Sequence, residues 1–258
     1  MSAKPITFYA LLALLSCTAN GAAADAVNKT DMYTAAVDNM ARSEKDRQRD
    51  AGRQPGAVLN FLGIKPGMSV LDLYSGGGYY TELLSYVVGS KGKVVAHSND
   101  AYARMANAET SVRYADNRLP NVVSLMAENN ELELQANSLD AILMVLSYHD
   151  IYYVDADGGW PRIDGEKLLA ELHRGAKPGA VLGIVDHYAA AGSPRETGGT
   201  THRIDPALVI AEVEAAGFIL EEQSNVLRNP ADDYSRTVFE PDLRGKTDRF
   251  VLKFRKPR

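Results

Sequence analysis

The chain has 258 residues, 45% of them hydrophobic and 24% charged, the proportions of one soluble α/β domain with enough apolar material for a large core. The formal net charge of -5 gives no general attraction to a phosphate backbone, and no local basic run offsets it. A nucleic-acid substrate is therefore excluded, leaving small molecules, peptides or lipids, with a small-molecule substrate the expectation.

Residues 1 to 24 read as a signal peptide. Lys4 precedes an apolar run from Ile6 to Leu15, and Ala22-Ala23-Ala24 supplies an A-x-A cleavage pattern. The run is shorter than the roughly 20 residues a membrane-spanning helix needs, so the expectation is an exported, periplasmic protein. Cys17, the single cysteine, would leave with this segment, removing disulfides and thiol catalysis from the mature chain. In the alternative reading, Leu14-Leu15-Ser16-Cys17 is a lipoprotein site with Cys17 acylated, the one route to a membrane partner. Oligomeric state is not legible.

Residues 25 to 54 form a charge-rich N-terminal helical extension. Glu44, Lys45, Asp46 and Arg47 alternate in sign, the pattern of a solvated helix face, with binding by Asp50 or Arg53 the minority reading. Residues 55 to 258 then make one domain. Pro55 opens a helix that Gly63 ends. Val70-Leu71-Asp72-Leu73 is a strand, Ser75-Gly76-Gly77-Gly78 a turn, and Thr81 onward a helix. Lys93 to Ala96 is a second strand, Ala101 to Asn107 a helix, and Val122 to Leu125 a third strand.

Leu139 to Leu146 is continuously apolar, which places this fourth strand at the sheet centre with both faces covered. A helix over Glu166 to Arg174, a turn at Lys177-Pro178-Gly179 and a fifth strand over Ala180 to Val185 follow. Asp205 caps a helix that starts at Pro206 and stops at Gly217. Phe218 to Asn225 and Arg249 to Phe254 complete the set, the last strand pointing Phe250, Leu252 and Phe254 inward and Val251, Lys253 and Arg255 outward. Alternation of strands and helices implies parallel crossovers.

The glycine turn follows a strand and opens a helix, where glycines let a ligand approach the backbone. Thr81 stands in place of the third glycine of a dinucleotide fingerprint, and no Gly-Lys-Ser/Thr is present for a P-loop. With Asp72 closing the strand, the segment resembles motif I of class I S-adenosylmethionine-dependent methyltransferases. The resemblance continues through Glu128, Asn137-Ser138-Leu139-Asp140, Leu172-His173-Arg174 and Lys177-Pro178-Gly179-Ala180. A narrower likeness, to exported proteins of predicted methyltransferase type, rests on Gly76 to Glu82, Tyr148-His149-Asp150, His202-Arg203-Ile204-Asp205 and Arg244 to Phe250.

The resemblance implies a Rossmann-like, doubly wound, mostly parallel sheet of seven strands with an antiparallel last strand. It implies S-adenosylmethionine as cofactor, met by Asp72, Tyr74, Ser75, Gly76, Gly78, Asn99, Glu128 and Asn129. The chain departs from the family at two of these. Tyr74 replaces the first glycine of Gly-x-Gly-x-Gly, and the second strand ends in His97-Ser98-Asn99-Asp100 without an immediate acid for the ribose.

Ligands of open α/β sheets bind beyond the carboxyl ends of the strands. There stand Tyr148, His149 and Asp150 after the fourth strand, Asp186 and His187 after the fifth, and His202 and Arg203 before the next helix. Methyl transfer needs positioning and, for a weakly acidic nucleophile, a base. His149 or His187 suits that role, oriented by Asp150 or Asp186, and Arg203 suits a substrate carboxylate. The same histidines and aspartates include enough metal ligands, but no spacing such as H-x-x-x-H enforces an ion, and no metal is assigned. The expected function is an exported methyltransferase for a small molecule. A non-catalytic exported binding protein on the same fold, or a metal-dependent hydrolase, are the alternatives.

Overall fold

The computed structural model describes Met1 and residues 32–258. The expected signal segment, with Cys17 and Ala22 to Ala24, lies outside the described residues apart from Met1. The elements run α1 (described over residues 32–37), α2 (Glu44–Arg53), α3 (Pro55–Leu62), β1 (Ser69–Leu73), α4 (Tyr79–Val88), β2 (Lys93–Ser98), α5 (Asp100–Arg113), β3 (Val122–Met126) and β4 (Leu139–Val145). They continue with α6 (Gly165–Gly175), β5 (Ala176–His187), the single turn α7 (Thr197–Thr200), α8 (Pro206–Ala215), β6 (Ile219–Ser224) and β7 (Arg249–Arg255). No described helix is long and apolar enough to cross a membrane.

The sheet has seven strands in the order β3-β2-β1-β4-β5-β7-β6. β1 to β5 pair in parallel, whereas β7 runs antiparallel to both β5 and β6. This is the doubly wound fold expected, antiparallel last strand included. Its order reverses beside β1, where the glycine turn leaves the sheet.

Side-chain alternation divides the core. Leu71, Leu73, Ile142 and Met144 pack under α6 and α8 through Leu168, Leu172, Val209 and Val213. Val70, Ala141 and Leu143 pack against α3 and α4 through Leu59, Leu62, Leu83 and Leu84. Each buried aliphatic side chain of this kind contributes about 1.5–3 kcal/mol. Helix ends follow their local chemistry. Asn99, Asp164 and Asp205 cap α5, α6 and α8 with side-chain oxygens, and Gly63 closes α3 at φ 71°.

Three expectations need correction. Val251 is fully buried, not outward, because β7 lies inside the sheet between β5 and β6 and both its faces are covered. Lys177-Pro178-Gly179 does not break the chain: it forms an irregularity within β5, where the partner register jumps from Leu139–Ala176 to Ala141–Val181. Helix α2 is solvated over only part of its surface: Glu44 and Lys45 are exposed as expected, whereas Asp46 is turned inward. Asp46 and Arg42 are each only 2% exposed. Asp46 accepts from Arg113 of α5 at 2.6 Å, Arg42 grips Asp50 with two bonds of 2.7 Å, and Asp50 takes the Tyr79 hydroxyl at 2.5 Å.

Residues 32–54 are thus built into the domain, with Tyr33 buried and its hydroxyl bonded to the Ile64 carbonyl. Arg113 also pairs with Glu82, so one guanidinium neutralises two buried carboxylates, Arg118 helping at Glu82. Arg113→Ala leaves those charges under-compensated and is expected to cost about 3–5 kcal/mol in urea unfolding, far beyond the cost of a surface ion pair.

Candidate active site

β1 delivers Asp72 and Tyr74 to the carboxyl edge of the sheet. The chain then turns through Gly76 (φ 55°) and Gly78 (φ 80°), left-handed conformations that favour glycine. Tyr74 holds φ 55° despite its side chain, a strained position for a bulky residue that persists only where its surroundings over-determine it. Those surroundings are aromatic. Tyr102 stacks on Tyr74 at 5.6 Å between ring centroids, Trp160 lies 6.0 Å away, and His97 meets the ring edge-on at 5.2 Å. The Tyr74 N–H donates to His97 Nδ1, and His97 Nε2 lies 3.0 Å from the Ala127 carbonyl. Burial of its ring pushes His97 down to about 4, against the opposing hydrogen bond to the Ala127 carbonyl. Asp72 is buried too, which raises it to about 6 against the opposing hydrogen bonds from Thr81.

The ends of β4 and β5 meet over one carboxylate. Asp186 accepts from the His149 N–H at 2.9 Å, from the His187 N–H at 2.8 Å, and lies 2.8 Å from His149 Nδ1. The other nitrogen of that imidazole, Nε2, is 3.3 Å from Asp150 Oδ1, to which His202 Nδ1 comes within 3.7 Å. Tyr102 donates to Asp150 Oδ2 at 2.7 Å. Burial by itself would lower His149, but the two carboxylates hold it protonated, at about 10. Burial would raise Asp150; the charge on His149 and the donors around it keep it below the usual carboxylate range. His187 is driven well below its ordinary value, first by burial and then by the positive charge of His149. Its Nδ1 sits 2.6 Å from Thr247 Oγ1. The pair therefore splits: His149 is the charged imidazolium, His187 the neutral ring.

These residues open onto a cavity of about 1170 Å³ whose walls include His149, Asp150, His187, His202, Tyr102 and Trp160. Also lining it are Lys45, Arg49 and Arg53 of α2 with Arg244, Lys246 and Arg249 from the segment entering β7. The sequence scatters these cations over two hundred residues, and no basic run was expected; folding brings them into one cavity. A second hollow of about 380 Å³ holds Glu128, Asn129 and Asp100.

Two of the residues predicted to be catalytic are committed elsewhere. Arg203 is wholly buried and bidentate on Asp232 at 2.9 and 3.0 Å, with further bonds to the Tyr188 and Arg236 carbonyls. It fastens the 232–236 loop and has no donor facing a substrate carboxylate. Tyr148 is buried with its hydroxyl on Glu212 of α8, away from the cavity walls. Asn99 is likewise the cap of α5, accepting from Tyr102 N and donating to Asn129, and offers no hydrogen bond toward a ribose.

The cofactor implied by the glycine turn fits the polar groups but not the space. Tyr74 Oη, Glu128 Oε2 and Asn129 Nδ2 are buried without partners, a donor and acceptor set suited to a nucleoside. The turn itself is roofed by α5. A side chain at Gly77 would collide with Glu109, and one at Gly78 with Arg113 and Tyr114. Ser75 is turned to the His97 carbonyl. None of Asp72, Tyr74, Ser75, Gly76 or Gly78 lines either hollow, and Tyr102 and Trp160 wall the larger one.

Two outcomes follow from this geometry. Arg203→Ala is expected to lower unfolding stability by about 3–5 kcal/mol, because Asp232 stays buried without its partner, and circular dichroism melting checks it. His97 binds fewer protons folded than unfolded between about pH 6.5 and 4. Its contribution to stability is therefore complete above pH 6.5 and declines as pH falls, by up to about 3 kcal/mol near pH 4. Imidazole NMR should find His97 neutral at pH 5.

The family model for protein-L-isoaspartate (D-aspartate) O-methyltransferase matches residues 27–145. A ubiquinone/menaquinone biosynthesis C-methyltransferase from Shewanella sp. (strain W3-18-1) is 32% identical over 131 residues, which are 50% of this chain and 46% of that protein. The chain thus spans about half the length of the curated relatives it matches. A SAM-dependent methyltransferase from Aquifex aeolicus superposes with a TM-score of 0.56 and 28% identity, over 78% of this chain and 88% of that one. The phosphoethanolamine N-methyltransferase 2 of Haemonchus contortus, solved with S-adenosyl-L-methionine, shares the fold at a TM-score of 0.56 and 18% identity, over 80% of this chain and 53% of that one. Fold, glycine turn and likenesses together make the chain similar to class I S-adenosylmethionine-dependent methyltransferases.

Proposed function

We propose that this protein is an exported S-adenosylmethionine-dependent methyltransferase acting on a small anionic molecule. The observation that carries the reading is the cavity at the carboxyl edge of β4 and β5, lined by the neutral His187 and by six cationic side chains, Lys45 among them. Arg53, Arg244 and Lys246 make no ion pair within 4.0 Å among the described residues, which leaves their charge for a carboxylate or phosphate on the acceptor. His187 Nδ1 lies 2.6 Å from Thr247 Oγ1; an Nδ1–H donated there leaves Nε2 free to take the acceptor's proton. Bound S-adenosylmethionine supplies an electrophilic methyl group. Export is supported by Lys4, the Ile6–Leu15 run and Ala22-Ala23-Ala24, and mature protein recovered from periplasm should begin at Asp25.

Isothermal titration of the mature protein with S-adenosylmethionine is expected to show binding, and silence at millimolar ligand would overturn the reading. Transfer of labelled methyl to the anion-exchange-retained small molecules of a cell extract tests the acceptor class. His187→Gln should lower that transfer by about 10²–10⁴ with little change in cofactor affinity.

A second reading, a non-catalytic binding protein on the same fold, is favoured by the rings of Tyr74 and Tyr102 standing where the family binds its nucleoside. Tyr74→Gly separates the two. Under the first reading it removes the ring that the ligand must displace and tightens S-adenosylmethionine by about tenfold, 1.4 kcal/mol. Under the second, neither wild type nor variant transfers label.

A further inference from the structure

The sequence assigns no metal, yet the folded chain gathers His149, Asp150 and His202 from two separate loops so that one donor atom of each lies within 4.8 Å of the others. We infer that His149 Nε2, Asp150 Oδ1 and His202 Nδ1 form a binding site for a first-row divalent metal ion, with its remaining coordination positions facing the large cavity. This goes beyond methyl transfer and does not depend on it.

The distances carry the inference first. Ligands about 2.1 Å from one ion, at tetrahedral to octahedral angles, stand about 3–3.5 Å apart. Two edges of the triangle are 3.3 and 3.7 Å, so both imidazoles already converge on one carboxylate oxygen. Their rings meet edge to face, interplanar angle 85°, centroids 5.2 Å apart, and the third edge is no longer than 4.8 Å, within roughly 1 Å of ligand spacing.

The surroundings are those of a metal site as well. Asp186 lies 2.8 Å from His149 Nδ1 and is itself fixed by two backbone N–H groups. Metal binding displaces the Nε2 proton of the imidazolium; with Nδ1–H donated to Asp186, the freed Nε2 lone pair is directed inward, the carboxylate–histidine arrangement that orients metal-ligating imidazoles. Tyr102 occupies Asp150 Oδ2 and leaves Oδ1 to the centre. His202 is held at φ 55°, an unfavourable conformation for a histidine that points to a constraint at a site. All three residues line the cavity, so three protein ligands would leave positions open to an oxygen-donor ligand. Two imidazoles and one carboxylate suit Zn²⁺, Fe²⁺ or Mn²⁺ over Ca²⁺ or Mg²⁺.

The test uses the tag-free mature chain, stripped with chelator and titrated with Zn²⁺ alone, with bound metal measured by mass spectrometry after gel filtration. One equivalent per chain is expected, and Co²⁺ in its place should give visible d–d bands. His202→Ala, whose side chain is partly exposed, should weaken uptake at least 100-fold. Asp186→Asn, which does not touch the ion, should weaken it by about 10–100-fold. His173→Gln, at the distant contact with Phe218, should bind as wild type does. Absence of uptake above a buffer blank by the folded, stripped protein overturns the site. So does equal uptake by His202→Ala when circular dichroism shows it folded. No S-adenosylmethionine enters this measurement, so its failure is distinct from failure of the methyltransferase reading.

Discussion

The carboxylate of Asp186 ties the carboxyl ends of β4 and β5 into one unit. It sits at the last turn of the sheet, fully buried, and collects three contacts: two from His149 and one from the His187 backbone. Since β4 and β5 are the central pair of the sheet, this clasp orients every group that later meets the cavity. His149 is fixed as a bridge between Asp186 and Asp150, Asp150 is fixed by Tyr102, and Tyr102 carries the contact to α5 and the glycine turn. Two buried carboxylates thereby favour the charged form of His149, while burial first and that charge second keep His187 neutral, its ring centroid 5.9 Å away.

The N-terminal segment closes the opposite side. Its charges look solvent-directed because they alternate, and Glu44 and Lys45 are exposed, but others are engaged by the domain: Arg42 by Asp50, Asp46 by Arg113, and Asp50 by Tyr79 as well. A guanidinium reaches the same ring from Arg53 at 4.6 Å. These contacts hold α2 at the cavity, so that Arg49 and Arg53 line it together with Arg244, Lys246 and Arg249. The cavity is therefore basic in a chain that is acidic overall, which favours anionic guests without making the whole surface attract polyanions.

Aromatic packing governs the glycine turn. The ring of Tyr74 is stacked by Tyr102 with Trp160 alongside. Unpartnered oxygens and nitrogens on Tyr74, Glu128 and Asn129 beside this stack are costly in a dry interior. They mark the place as a site for polar contacts that the protein alone does not complete.

Much of the architecture was legible in the residues. Strand alternation, the continuous apolar run of β4, the glycine turn and the cap at Asp205 act through neighbours within a few positions, so they determined the element order, the doubly wound sheet and the edge of it where the cavity opens. His149, Asp150 and His187 were identifiable for the same reason, by their place just past a strand. What only the tertiary structure decided is where long side chains spend their hydrogen bonds. Arg203 and Tyr148 occupy equivalent places in the sequence pattern but turn to Asp232 and Glu212, His202 joins His149 from fifty residues away, and α2 becomes a wall of the cavity. Such partnerships join residues distant in the chain, and periodicity carries no information about them: each is settled by which buried charge or donor lacks a nearer partner once the sheet has closed.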